Sequence, residues 1–232
     1  MSDNQLAHKT IKDLSALYQS KQVSPVEVVD DLLERINLLD GSFNYYITVL
    51  ADDARKCAQQ VEAEIMAGDY KGVLHGIPLS LKDIISTDNV RTTCASKVME
   101  NYVSDYDAEI VSKLKKRGMF LLGKLNAQEF AMGATGSITY FNIPKNPWNK
   151  DCVTGGSSSG SGGSIALDTS IAAIGTDTGG SVRIPAALCG IFAHKPTYGL
   201  VSRRGIMALS YTLDHAGPMT KTVEDAAIML DG

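Results

Sequence analysis

Gly76-Ile77-Pro78-Leu79-Ser80-Leu81-Lys82-Asp83-Ile84 is the stretch on which the fold reading turns. It is short and apolar, as a buried strand is, and its alternate positions carry Ser80 and Lys82. Downstream, residues 107–116 predict a helix capped by Asp107 and ended by Gly118, followed by a buried strand at Met119-Phe120-Leu121-Leu122. A short helix is expected over 127–132, and further short strands over 171–174 and 191–193. Strand–helix–strand alternation at these lengths predicts an α/β fold, a central sheet with helices on its faces.

Upstream of Gly72 the texture is different, and residues 1–70 read as an N-terminal helical arm. Ser24-Pro25-Val26-Glu27 is a capping box: the serine accepts from orphan backbone N–H groups, proline fits the first turn, and glutamate reaches back. Val28, Val29, Leu32, Leu33 and Ile36 then recur at helical spacing. One shorter helix is expected over 11–20 and another over 52–66, stopping at Gly68. Residues 71–232 form the α/β portion.

Bulk properties narrow the function classes. The chain has 232 residues, a formal net charge of −4, 44% hydrophobic and 21% charged residues, with both signs interspersed. Its densest basic cluster, Lys113, Lys115, Lys116 and Arg117, reads as a solvated helix face, so no direct nucleic-acid ligand is expected. No apolar run approaches the roughly 18 residues of a membrane helix, and MSDNQLAHKTIKDL lacks the pattern of a signal peptide. Cys57, Cys94, Cys152 and Cys189 are scattered, with no CxxC and no histidine at metal-ligand spacing. They read as inert reduced thiols; no metal is expected, and the location is cytoplasmic.

The chemistry concentrates in two Gly/Ser-rich segments, 154–164 and 175–183, which ordinary secondary structure does not account for. A flexible linker is set aside because apolar alternation resumes on both sides. A phosphate cradle is set aside because no GxxxxGK[ST] is present. An amide hydrolase instead needs a nucleophile, a base, and backbone donors aimed at the oxyanion. Ser181 follows two glycines, so the N–H groups of Thr178, Gly179, Gly180 and Ser181 make an oxyanion hole. A Ser-His-Asp triad would need one of His8, His75, His194 or His215, all of which lie outside these segments and read as structural. Lysine replaces histidine as base when burial disfavours its charge, and Lys82 sits in an apolar strand. The bland alternative for Lys82 is an edge lysine paired with Asp83. Gly156-Ser157-Ser158-Ser159-Gly160 also matches a nucleophile elbow centred on Ser158, but Cys152-Val153-Thr154 is too short for the strand an elbow requires.

GGSSSGSGG at 155–163 followed by GTDTGGSVRIPAALCG at 175–190 resembles the amidase signature family. HGIPLSLKDI at 75–84 is similar to that family's lysine-bearing strand. Matching segments also occur at 91–108, GKLNAQEFAMG at 123–133, KNPWN at 145–149 and KPTYGLVSRRGI at 195–206. The resemblance implies a mixed central sheet covered by helices on both faces, incomplete at the C-terminus. It implies Ser181 as acylated nucleophile, Ser157 as proton bridge held by a cis peptide, and Lys82 as base, with Asp177 and Arg183 supporting the nucleophile loop. Ser159 stands where the family has glycine. No cofactor is implied.

The family's domain runs on beyond the end of this chain, so the 232 residues alone are expected to be poorly active. Two activities fit the resemblance. One is a free amidase that releases ammonia from a small carboxamide. The other is the glutaminase-type A subunit of a tRNA-dependent glutamyl or aspartyl amidotransferase. TTCAS at 92–96 and EFAMG at 129–133 look like that amidotransferase component; 133–149 lacks its STENS-type segment, and LSYTLDHAGPM at 209–219 looks like free amidases. The amidase is preferred, with a small-molecule amide as ligand, no membrane partner, and a homodimer or, for an amidotransferase, partner subunits.

Overall fold

The computed structural model describes residues 6–232; the first five, part of the N-terminal stretch read above, lie outside the described residues. Helix α1 (Ile11–Gln19) starts at Thr10, whose hydroxyl accepts from the Asp13 N–H at 3.1 Å. Helix α2 (Pro25–Phe43) starts with both halves of the expected capping box: Glu27 N–H donates to Ser24 Oγ at 3.2 Å, and Ser24 N–H donates to Glu27 Oε2 at 2.8 Å. Its buried side is the expected stripe Val28, Val29, Leu32, Leu33 and Ile36. Residues 1–70 are not wholly helical, however. Between α2 and α3 (Ala51–Met66) lies β1 (Tyr46–Val49), a sheet strand.

Strand β2 (Pro78–Lys82) is buried at every position. It runs parallel to β3 (Phe120–Leu125), reached through α4 (Glu109–Lys116), and parallel to β4 (Ala172–Asp177) on its other side. The N-terminal β1 closes one edge antiparallel to β3; β6 (His215–Thr220) pairs antiparallel with β4, and β5 (Phe192–Ala193) with β6. The sheet order is β1-β3-β2-β4-β6-β5, a mixed sheet. Register sorts its two faces. Leu79 and Leu81 align with Ala172 and Ile174 and join a large core with Ile11, Leu32, Val61 and Leu114 from α1 to α4. On the other face, Ala173, Leu125 and Met219 pack with Ile165 of α5 (Ser159–Ala166) and with Val182, just before α6 (Arg183–Cys189). Helices therefore cover both faces, and each buried leucine or isoleucine contributes about 1.5–3 kcal/mol. Helix α7 (Val223–Asp231) adds Met229 to the larger core.

Three local expectations are corrected. Asp107 does not cap α4: the helix begins at Glu109, whose N–H goes to the Arg204 carbonyl at 3.1 Å, while Asp107 accepts from Lys115 Nζ and the Asp88 N–H. Residues 127–132 hold only a 3₁₀ turn, Glu129–Ala131, with Phe130 left-handed at φ 48°. The amides there are spent elsewhere, Gln128 on the Ser157 carbonyl and Phe130 on the Cys94 carbonyl, so no α-helical ladder forms. Finally, the first Gly/Ser segment does have regular structure, since Ser159–Ala166 is a buried helix. Its glycines answer close packing. A Cβ on Gly160 would stand 2.5 Å from the Tyr45 carbonyl oxygen and 2.7 Å from the Asn126 backbone.

Candidate active site

Lys82 ends β2, at the carboxyl side of the parallel strands where α/β sheets leave a crevice. It is wholly buried, and Nζ donates to Ser157 Oγ at 2.6 Å and Thr176 Oγ1 at 2.7 Å. Both of these acceptors are hydroxyls rather than carboxylates. Burial pulls the ammonium pKa down to about 7, against the opposing pull of Asp177, Asp214 and Cys94. An amine in this setting is largely neutral just above neutral pH.

Ser157 precedes α5, and the Gly156–Ser157 peptide is cis. Ser158 bridges to β4 through its hydroxyl, which donates to the Thr176 carbonyl and accepts from the Thr176 N–H, both at 3.2 Å. Its own N–H donates to the Ser181 carbonyl at 3.2 Å, so the two Gly/Ser segments meet through backbone. Ser181 is 8% exposed. Among the described residues no hydrogen bond joins its hydroxyl to that of Ser157. The structure thus brings Lys82 and Ser157 into direct contact, with Ser181 tied to the segment by its main chain.

The Ser181 loop is braced by Asp177, the last residue of β4. Its carboxylate accepts from Gly180 N–H at 2.8 Å, Val182 N–H at 3.2 Å and Arg183 Nε and Nη2 at 3.0 Å each. Burial alone would raise its pKa, but Arg183 and the two amides outweigh it and hold the carboxyl below the usual range. This brace occupies the Gly180 N–H. Among the described residues no hydrogen bond engages the N–H groups of Thr178, Gly179 or Ser181, so three of the four expected oxyanion donors are open. Gly180 takes φ 132°, which glycine adopts without strain. Thr178 is held from outside, its hydroxyl donating to Asp214 Oδ1 at 2.5 Å, while Asp214 Oδ2 accepts from Leu209 and Ser210 N–H at 2.8 and 2.9 Å. A cavity of about 320 Å³ opens against Thr176, Thr178 and Asp214, with Ile84, Arg203 and Met207 on its other walls.

The lysine that meets Asp83 is Lys124, at 3.3 Å, rather than Lys82. Lys124 lies in a buried strand just as Lys82 does, and that signal, lysine among apolar neighbours in FLLGKL, was available from sequence. Thr176 and Asp214 gave no such signal, because only the β4–β6 pairing and the loop before β6 bring them to the site. Of the histidines, His75 is buried against Glu64, His8 pairs with Asp168, and His215 Nδ1 lies 3.2 Å from the Asp177 carbonyl oxygen at the cavity wall. Cys94 and Cys189 are buried, with thiols pushed up to about 12 by burial; Cys57 and Cys152 are exposed. No helix among the described residues is long and apolar enough to cross a membrane, and no group of three metal-ligating side chains occurs among them.

The family model described as Amidase matches residues 27–232. The A subunit of the glutamyl-tRNA(Gln) amidotransferase of Geotalea daltonii is 48% identical over 227 residues, covering 98% of this chain and 47% of the relative. Among solved structures, the peptide amidase of Stenotrophomonas maltophilia superposes with a TM-score of 0.92 at 36% identity, covering 97% of this chain and 47% of that one. The corresponding amidotransferase A subunit of Thermotoga maritima superposes with a TM-score of 0.84 at 39% identity, covering 100% and 48%. The chain spans about half the length of the curated relatives it matches.

Proposed function

This chain belongs to the amidase family, and on that premise we propose that it carries the catalytic residues of an amide hydrolase that releases ammonia from a carboxamide. Ser181 is the nucleophile, Ser157 the proton bridge and Lys82 the base. The observation that carries this reading is the buried, carboxylate-free contact of 2.6 Å between Lys82 Nζ and Ser157 Oγ. Neutral Lys82 takes the proton of Ser157 as Ser157 takes that of Ser181, whose Oγ bonds to the amide carbon. The N–H groups of Thr178, Gly179 and Ser181 receive the oxyanion; one such donor is worth about 10²–10³ in rate. Collapse breaks the C–N bond, and the relayed proton leaves with ammonia. Water then attacks the acyl-enzyme, giving its proton back through the same hydroxyls, and the acid departs. A hydrogen bond between the Ser157 and Ser181 hydroxyls is expected to form with substrate in place, as catalytic hydrogen bonds do.

The reading implies a small-molecule amide in the cavity beside Thr178, and a cytoplasmic setting. Release of ammonia from simple carboxamides by the full-length protein, lost in Ser181→Ala and in Lys82→Ala, tests it; turnover surviving both substitutions would refute it.

A second reading has an observation of its own. The 48% identity to the amidotransferase A subunit of Geotalea daltonii favours glutamine as the amide, with ammonia passed to a partner protein. Glutamine hydrolysis that rises when a copurified partner and charged tRNA are added supports this version. Brisk turnover of unrelated carboxamides, with glutamine refused, supports the free amidase.

A further inference from the structure

Lys82 has a counterpart. Lys124 is equally sealed from solvent, and the two lysines stand near the carboxyl ends of neighbouring parallel strands on opposite faces: Lys82 aligns with Leu125, Lys124 with Leu81. Their partners differ in kind. Lys82 meets the hydroxyls of Ser157 and Thr176. Lys124 meets a carboxylate, Asp83 at 3.3 Å, together with the Ile85 carbonyl and Thr92 Oγ1, both at 2.7 Å. Asp83 is the residue directly after Lys82.

Asp83 is tied in turn to the segment 92–95. Its carboxylate accepts from the Thr93 N–H at 2.8 Å and from the Thr93 hydroxyl, and its carbonyl accepts from the Cys94 N–H at 2.9 Å. Cys94 and Ala95 both hold left-handed backbone, φ 53° and 55°, a conformation a side-chain-bearing residue keeps only when its surroundings impose it. Their carbonyls accept from the N–H groups of Phe130 and Tyr140 at 2.9 Å. The Cys94 side chain lies within electrostatic reach of Lys82, Asp83 and Lys124 alike. A buried ion pair is a poor device for stability, since apolar residues of similar volume usually serve as well. What it adds here is directed bonds that fix residue 83 and the 92–95 turn together.

We propose that the Asp83–Lys124 pair is the positioning device for the base, anchoring the end of β2 and the 92–95 turn so that Lys82 stays aimed at Ser157 and shielded from water. Neither member touches the reacting atoms; both act through Lys82, so the proposal rests on Lys82 being the base. The charged and titratable groups facing Lys82 are Asp177 from β4, Asp214 from the cavity wall and Cys94 from the turn. Asp83 and Lys124 face each other and Cys94. None of the groups facing Lys82 is altered by the substitutions below.

The test is the rate at which a fluorophosphonate modifies Ser181 in the full-length protein, followed against pH. The Ser181 Oγ–P bond forms, P–F breaks, and the hydroxyl proton passes through Ser157 to Lys82. The doubly neutral variant Asp83→Asn/Lys124→Met buries no lone charge. Its limiting rate is expected to fall about 100-fold, the scale of a misplaced catalytic group. Its pH midpoint is expected to rise as water reaches Lys82. Thr93→Val removes the hydroxyl's bond to Asp83 and the one it accepts from the Ala95 N–H at 3.1 Å, keeps the Thr93 N–H bond to Asp83, and is expected to move both quantities the same way by less, which keeps the proposal testable should the double variant not fold. A folded variant with the wild-type rate and midpoint makes the pair merely structural and overturns the proposal. If Lys82→Met is modified as fast as wild type, the base assignment itself fails, whatever the pair does.

Discussion

Replacing Lys82 by methionine should abolish turnover and yet stabilise the protein near neutral pH. The lysine is wholly buried, and its pKa falls from 10.5 to about 7 because burial penalises the cation. A lysine with a folded-state pKa below its unfolded value binds fewer protons folded than unfolded, so its contribution to stability rises with pH between about 7 and 10.5 and is a penalty below that window. At pH 7 the penalty is about 4 kcal/mol by proton linkage. Methionine keeps the apolar stem and removes the penalty. It leaves Ser157 and Thr176 without their amine, which costs roughly 1–2 kcal/mol. The balance is a gain of about 2 kcal/mol at pH 7 that turns into a loss near pH 10.5, where the linkage vanishes. Urea unfolding of wild type and Lys82→Met at both pH values measures the difference, and other titrating groups cancel in it. A variant less stable than wild type by the same amount at both pH values would refute the reasoning, because the lysine would then be charged in the folded state.

Three further substitutions follow from the same geometry. Ser157→Ala removes the proton bridge and should lower kcat by about 10²–10⁴ with KM little changed, read from steady-state ammonia release. Asp177→Asn keeps the size of the side chain but turns one of its two accepting oxygens into an NH2 donor, so two of the four bonds from Gly180, Val182 and Arg183 are lost; kcat should fall about 10- to 100-fold, and a wild-type value would show that the Ser181 loop holds its form unaided. Gly160→Ala forces a methyl against the Tyr45 carbonyl and the Asn126 backbone and should cost about 1–3 kcal/mol in urea unfolding, whereas a neutral result would mean α5 has room to shift.

Much of this architecture was legible from local pattern. The capping box at Ser24 and the stripe from Val28 to Ile36 follow from residue spacing, and the apolar run around Lys82 gave both the central strand and the odd lysine in it. What stayed hidden was set by tertiary contact. The β6 sequence HAGPMT contains Gly217 and Pro218, which weigh against a strand until β4 and β5 flank it. Helix α5 is built of serine and glycine, poor helix formers in isolation, and exists because its flat surface lies against Tyr45 and Asn126. At the site, Lys82 with Ser157 was readable from motif, but Thr176 and Asp214 arrive only through sheet pairing and a loop 36 residues from Thr178. The pairing of Asp83 with Lys124 instead of Lys82 reflects strand alternation: neighbours in sequence point to opposite faces, and register brings Lys124 to the face that Asp83 shares.

The central claim is a serine at 181 made nucleophilic by a neutral lysine, and peptide mass spectrometry after fluorophosphonate treatment of the full-length protein addresses it most directly. One adduct is expected, on the peptide containing Ser181, absent from Ser181→Ala and sharply reduced in Lys82→Met. An adduct on Ser158 or elsewhere, or undiminished labelling of Ser181→Ala, would contradict the account.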